Sequence, residues 1–243
     1  MCYKTALQKQ PDDLVKLTRR QLAVPEEYTL YYHNDAFTQP TLYITPMNDP
    51  GQIWPARWGL IPNYILKNDS TGPADFVRKY KTFNARGEEV FDKRSYKESA
   101  KSARCLVWVD GFYEPHHYKK KSQPFFCYLE ERKLFAFAGL YTALGEGVYT
   151  TSFLTVDANE TFTKIHNQKK RMPLALDSQF YEDWLSDLNP KQVTEIVNTG
   201  FLQEEFKYYP VSNVIYKERG LNSEDAIKPV EAFDPEFRND TLF

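Results

Sequence analysis

Apolar residues cluster in short runs through the middle of the chain, and a 3.6-residue period is confined to a few flanking stretches. Four runs carry strand character: RCLVWV from Arg104, PFFCYLE from Pro124, KLFAFAGLY from Lys133 and YTTSFLTVDA from Tyr149. Their apolar, β-branched and aromatic content suits strands. The LGEG at 144–147 reads as a hairpin turn between two of them. Residues 41–62, TLYITPMNDPGQIWPARWGLIP, read as short strands broken by Pro and Gly. Helical patterns lie outside these runs. Asp12-Asp13 caps a helix carrying Leu14, Leu17 and Leu22 and ended by Pro25, and the polar stretch Glu88–Ser102 reads as a second. Asp177 precedes a pattern with Phe180, Trp184 and Leu188. Asn189-Pro190 opens another, with Pro at the first helical position and Gly200 past its end. The pattern predicts an α+β fold, a mainly antiparallel β core with peripheral helices, in one domain spanning 1–243.

Composition narrows the function classes. A chain of 243 residues suits one domain with a sizeable core. Its 17 Tyr, 17 Phe and 4 Trp fit a β-rich core or a surface on which bases stack. With a net charge of only −2, any nucleic-acid site must be a local basic groove. Three cysteines are too few for a disulfide framework, and Cys105 and Cys127 sit in apolar runs that suit buried thiols. The start MCYKTALQKQPDD has no apolar leader and no stretch reaches transmembrane length, so a cytoplasmic protein away from membranes is expected. A monomer is expected as well.

Cys2, directly behind Met1, changes the chemical picture. Removal of Met1 would leave an α-amine and a thiol on adjacent carbons. Such a pair condenses with an aldehyde: the amine forms a Schiff base, and the thiol closes a five-membered thiazolidine at high effective concentration. With an α-amino pKa near 7.7, roughly a sixth of the amine is free base at pH 7. Position alone favours a blander reading, an accident of the start or an acylation site.

Other candidates gather around it. Asn84-Ala85-Arg86 lies just before the stretch read as a helix. Asn84 offers an amide and Arg86 a fork suited to phosphate, although a capping Asn and a surface Arg fit the tripeptide alone. Glu114 emerges from an apolar run, where desolvation would raise its pKa and suit proton shuttling. His166 can pass protons near neutral pH. His116-His117 lacks a metal-binding spacing, so neither metal nor cofactor is expected. Basic and aromatic residues supply a possible groove. Arg78, Lys79 and Lys81 precede Phe83, Lys119, Lys120 and Lys121 follow Tyr118, and Lys164, Lys169, Lys170 and Arg171 bracket His166. Trp54, Trp58 and Tyr64 stand among prolines, where an exposed ring would stack on or wedge beside a base.

Together these residues resemble the SOS-response-associated peptidase (SRAP) family, which shields abasic sites in single-stranded DNA. The matching residues are Cys2, Trp58-Gly59-Leu60-Ile61-Pro62, Asn84-Ala85-Arg86, Arg104-Cys105-Leu106, Asp110-Gly111-Phe112-Tyr113-Glu114, Thr155, His166, Arg171-Met172-Pro173 and Pro210-Val211-Ser212. Their order covers about 2–230, with 231–243 left as a C-terminal tail. The resemblance implies a barrel-like core and a covalent thiazolidine between Cys2 and the C1′ aldehyde of an abasic sugar. It implies Cys2, Asn84, Glu114 and His166 as catalytic residues. Arg86, Trp58, Pro62, Lys4, Thr155, Lys169 and Lys170 would contact DNA, with abasic single-stranded DNA as partner and, in a bacterium, a nucleoid location.

This sequence departs from the family pattern at Tyr3-Lys4, where Gly-Arg is usual, at Pro115 and Tyr64, where Trp is usual, and in a lengthened 167–170 loop. Two other classes stay open on the residues: an N-terminal-nucleophile hydrolase or autopeptidase using Cys2, Glu114 and His166, and a noncatalytic single-strand binding module.

Overall fold

The structure, a computed structural model, describes residues 2–38, 41–67, 72–218 and 222–238. Met1 and residues 239–243 of the expected tail lie outside them. In chain order the first half comprises β1 (Lys4–Leu7), α1 (Pro11–Thr18), β2 (Gln21–Leu22), β3 (Tyr31–Asp35), β4 (Thr41–Pro46), β5 (Gln52–Trp58), α2 (Asn63–Lys67), α3 (Pro73–Tyr80), β6 (Asn84–Arg86) and α4 (Lys97–Ser102). The second half comprises β7 (Arg104–Val109), β8 (Gly111–Tyr118), β9 (Lys121–Tyr128), β10 (Phe135–Gly145), β11 (Val148–Asp157), α5 (Glu160–Ile165), β12 (Arg171–Pro173), β13 (Ala175–Leu176), α6 (Tyr181–Leu185), α7 (Pro190–Thr199), β14 (Lys207–Pro210) and α8 (Val214–Lys217).

Five strands close into a barrel. β11, β10, β7, β4 and β5 pair in that order as antiparallel neighbours, and β5 returns to β11 in parallel through Ala56, Arg57 and Trp58 opposite Tyr149, Thr150 and Thr151. Closure removes the exposed edges an open sheet would leave. A second, antiparallel sheet in the order β14-β9-β8-β1-β3 packs against it. Phe112 of β8 meets Phe137 of β10 with ring centroids 5.5 Å apart.

Alternation explains why the barrel strands read as continuous apolar runs. Leu42, Ile44, Val107, Phe137 and Phe153 pack in one core, and Tyr43, Leu106, Trp108, Ala136 and Leu154 in a second, which also holds Trp184, Val193 and Val197 of the helices. Both faces are therefore dry. The core is single-domain α+β, as the pattern predicts, with parallel pairs at β5–β11, β6–β11 and β2–β5 added to its antiparallel majority.

Several boundaries differ from the sequence reading. The stretch Glu88–Ser102 is helical only at Lys97–Ser102, preceded by a single 3-10 turn at Gly87–Glu89. It lacks the repeated apolar positions that would hold a longer helix against the core. α1 stops at Thr18, where Arg19 adopts a left-handed conformation, and Leu22 falls in β2. α6 ends at Leu185, leaving Leu188 outside. The start of α7 matches closely: Asn189 and Gln192 form a reciprocal capping box, and Gly200 follows the last turn. Residues 231–238 of the expected tail are docked, with Phe237 buried among the rings of His116, Phe125 and Tyr208. Among the described residues no helix is long and apolar enough to cross a membrane.

Gly139 sits where β10 crosses β7, and a Cβ there would stand 2.7 Å from both Cys105 Sγ and Val107 Cγ2. Gly139→Ala is therefore expected to lower stability by about 1–3 kcal/mol through overpacking, read as a lower urea midpoint at unchanged m-value.

A buried candidate active site at the seam of the two sheets

β1 hydrogen-bonds to β8 with Lys4 opposite Tyr113, which brings the start of the chain alongside Glu114. Cys2 and Glu114 are both 0 % exposed. β6 pairs with β11 through Asn84 opposite Phe153 and Arg86 opposite Thr155. Its first residue reaches the same place: Asn84 Nδ2 donates to the Cys2 carbonyl oxygen over 2.7 Å. The approach to β6 is fixed upstream, where Gly59 N–H donates to Thr151 O and Leu60 N–H to Thr82 O. Gly59 itself has φ 122°, a left-handed backbone suited to glycine.

His166 arrives from the other side. Asn159 caps α5, its side chain accepting from Phe162 N–H, and Phe162 stacks on Phe112 of β8 with centroids 5.6 Å apart. His166 follows the last residue of this helix and is buried. Its Nδ1 lies 2.8 Å from the Arg171 carbonyl oxygen and 3.2 Å from Glu114 Oε2. A carbonyl only accepts, so Nδ1 carries the hydrogen and Nε2 is the basic nitrogen.

Burial sets the protonation states. It pushes the Glu114 carboxyl up to about 8 and holds His166 down to about 4. It also lifts the Cys2 thiol well above its usual value, with the Glu114 charge adding to the rise. Neither Glu114 oxygen has a hydrogen bond of good geometry. A carboxyl this deep without one is costly unless protonated, and it is the kind of exception that marks a working group. At neutral pH the site therefore holds a protonated carboxyl beside a neutral imidazole. That pair can give a proton and take one.

The four residues read as catalytic thus converge, while the expected DNA contacts divide. Arg86 is exposed and leans on Glu89 at 3.2 Å, and Lys169 and Lys170 are exposed on the 167–170 loop. Lys4 is 8 % exposed and ion-paired with Asp35, so its charge is spent within the protein. Trp58 is fully buried, with Nε1–H donating to Phe83 O, so its ring is a core residue and presents no face to a base. Pro62 is buried beside it in sequence. Thr155 is also fully buried, its Oγ1 donating to Ala85 O; it stitches β11 to β6 and does not meet the surface. Arg171 likewise leaves the proposed groove. It forks onto Glu88 at 2.5 and 2.9 Å and reaches Asp157 at 2.7 Å and Thr155 O at 2.6 Å. Tyr64 lies under the Arg94 guanidinium, 4.1 Å from its ring centroid.

The sequence reading missed Phe37. It is 57 % exposed, and its ring lies 5.2 Å from that of Tyr3 and 5.0 Å from that of Phe83. A single Phe in the turn after β3 carries no periodic signal; only the fold brings it beside the chain's start.

Comparisons with known proteins bear on the family and the fold. The family model described as SOS response associated peptidase (SRAP) matches residues 1–218. The abasic site processing protein YoqW of Bacillus subtilis is 32 % identical over 225 residues, covering 88 % of this chain and 94 % of that protein. The abasic site processing protein HMCES of Xenopus tropicalis is 29 % identical over 194 residues, 69 % of this chain and 55 % of its own. A crystal structure of a Bacteroides thetaiotaomicron protein superposes with a TM-score of 0.79 at 24 % identity, over 94 % of this chain and 100 % of that one, which shows the shared fold. With its family match running from the first residue through α8 and its barrel shared with solved structures, this chain belongs to the SOS response associated peptidase family.

Proposed function

We propose that this protein captures abasic sites in single-stranded DNA by covalent linkage through Cys2. The observation that carries the reading is the convergence of the chain's second residue with a fully buried Glu114 carboxyl and the neutral His166 3.2 Å from it. Relatives that are abasic site processing proteins suggest its substrate class.

Once Met1 is removed, the Cys2 amine attacks the C1′ aldehyde of the ring-opened sugar. Loss of one water gives a protonated Schiff base, and the Cys2 sulfur then adds to its carbon while the thiol proton passes to a base. Glu114 in its protonated form supplies the proton that turns the departing hydroxyl into water. His166, kept neutral by burial, takes a proton through Nε2. Asn84 fixes the Cys2 carbonyl and so the direction of the amine. Arg86 holds a flanking phosphate. Because Cys2 is fully buried, the first residues move aside for a sugar to reach the sulfur, and the Tyr3–Phe37–Phe83 group is the aromatic surface next to that opening.

Wild-type protein incubated with an abasic oligonucleotide is expected to give a band that survives hot detergent, and Cys2→Ala none. Cys2→Ser should yield a linkage only after borohydride reduction, since oxygen is the poorer ring-closing nucleophile. A stable band from Cys2→Ala would end the proposal.

The rate of linkage should rise with pH as the α-amine loses its proton near 7.7 and fall above about 8 as Glu114 ionises. Glu114→Gln should be slow throughout and lack the alkaline fall. Folding lifts the Glu114 pKa from 4.5 to about 8, so ionisation opposes the folded state: stability is fullest below 4.5 and declines as pH rises through 8. Glu114→Gln should therefore unfold at higher temperature than wild type at pH 9 and show little difference at pH 4, which separates lost chemistry from lost structure.

Arg86→Ala should weaken binding to undamaged and abasic strands alike and reduce the slope of log K against log salt by about 1. An unchanged slope in a salt titration would remove Arg86 from the interface.

A further inference from the structure

The β8–β9 hairpin closes with Tyr118 opposite Lys121, leaving Lys119 and Lys120 as a two-residue turn. Both have positive φ, 45° and 64°, as a type I′ turn requires, and that turn favours Asn-Gly. A long L side chain at either position is strained, and left-handed strain of this kind concentrates at functional sites. Lys170, on the neighbouring 167–170 loop, is left-handed as well, at φ 49°. The two loops are tied together: Asn167 Nδ2 donates to His117 O at 2.8 Å and His117 N–H to Asn167 Oδ1 at 3.1 Å. The tie holds the 167–170 loop, with Lys169 and Lys170, beside the hairpin that carries Lys119, Lys120 and Lys121.

Beneath the turn lies a cavity of about 340 Å³, bounded by Tyr118, Lys119, Lys121, Glu231, Phe233 and Arg238. Lys121 Nζ sits 5.6 Å from the Phe233 ring centroid and Lys119 Nζ 5.1 Å from that of Tyr118. Glu231, the acidic member, is occupied by Arg238 at 3.2 Å. Aromatic rings interleaved with cations form the chemistry that holds a base and its phosphate without reading sequence. One wall, within residues 231–238, lies beyond the 1–218 family match, and the other, on the hairpin, lies within it. Along β8, Tyr118 is four residues from Glu114, about 13 Å at about 3.3 Å per residue.

We infer that this hairpin-tip pocket is a second binding subsite, which takes a nucleotide of the DNA strand a few positions from the damaged sugar. The lysines of the two tied loops carry the phosphates between. This rests on the proposed single-stranded DNA function, and it adds a polarity: flanking DNA on only one side of the lesion contributes.

Binding is measured by fluorescence anisotropy with single strands carrying a tetrahydrofuran abasic analogue, which has no aldehyde and cannot be linked. The lesion is flanked by two or by eight nucleotides on the 3′ side, and separately on the 5′ side. For wild type, lengthening one side only should tighten binding about tenfold and steepen the salt slope by about 2 to 3. The double variant Lys119→Asn/Lys120→Gly installs the preferred turn pair. It should melt at higher temperature than wild type yet lose most of the length effect, and Phe233→Ala should lose part of it at an unchanged salt slope. Equal gains on both sides, or a length effect that survives in the double variant, would overturn the subsite. Linkage of wild type to a short, reactive abasic strand is scored separately. Its failure would defeat the parent proposal and leave the anisotropy result to stand or fall by itself.

Discussion

β11 carries two different neighbours on one edge, and the site exists because of that. Tyr149–Thr151 pair in parallel with β5 and close the barrel; a few residues on, Phe153–Thr155 pair in parallel with β6 and bring Asn84 and Arg86 to the barrel's end. Its other edge passes from β10 to β12, which returns the chain after α5 and sets the Arg171 carbonyl against His166. Asn84, Arg86 and His166 thus take their positions from a single strand. Side chains reinforce the arrangement. Trp58 donates to Phe83 O just ahead of β6, Thr155 donates to Ala85 O, and Arg171 gathers Glu88, Asp157 and Thr155 O around the far end.

Against that frame the second sheet supplies the remaining two groups, and desolvation does the electrostatic work. A carboxyl and an imidazole placed 3.2 Å apart in water would form an ordinary ion pair. Here burial disfavours both charges at once, moving Glu114 up and His166 down until the neutral pair spans the physiological range. Such a pair costs stability compared with an apolar filling. Its persistence at 0 % exposure for Glu114 is more readily explained by chemistry than by folding.

Much of the core was readable from the sequence because strands dry on both faces announce themselves: the runs from Arg104, Pro124, Lys133 and Tyr149 all begin within three residues of observed strands. What it hid was pairing. Nothing in the three residues Asn84–Arg86 signals a strand, since such a short segment is held by its partner β11 and has no periodicity of its own. The polar stretch after it was over-read as a helix for the complementary reason, a helical composition without an apolar face to hold it. For the site, residue type and position offered Cys2, Asn84, Glu114 and His166 as candidates, and the family resemblance raised them above their blander readings. They failed for Trp58, Thr155, Lys4 and Arg171, whose chemistry suits DNA as well as it suits a core hydrogen bond or an internal ion pair. Only burial and partners separate those uses.

The cations make that separation general in this molecule. Arg104 is wholly buried, donating to the Trp184, Ala100, Lys101 and Ser186 carbonyls. Arg171 is buried as well and held by two carboxylates and Thr155 O, and its unpartnered Nε is buried with it, so neither fork faces solvent. Guanidinium suits this use, being planar and weakly hydrated, with five fixed donors. Lysines carry exposed positive charge on the hairpin tip and the 167–170 loop, and three of them occupy left-handed backbone that another residue would occupy more comfortably. Point charges on flexible stems follow a mobile, sequence-independent backbone better than fixed forks do. Arg104 and Arg171 thus serve rigid internal geometry, while Arg86, exposed at the end of β6, is the fork that the proposed function leaves for a phosphate.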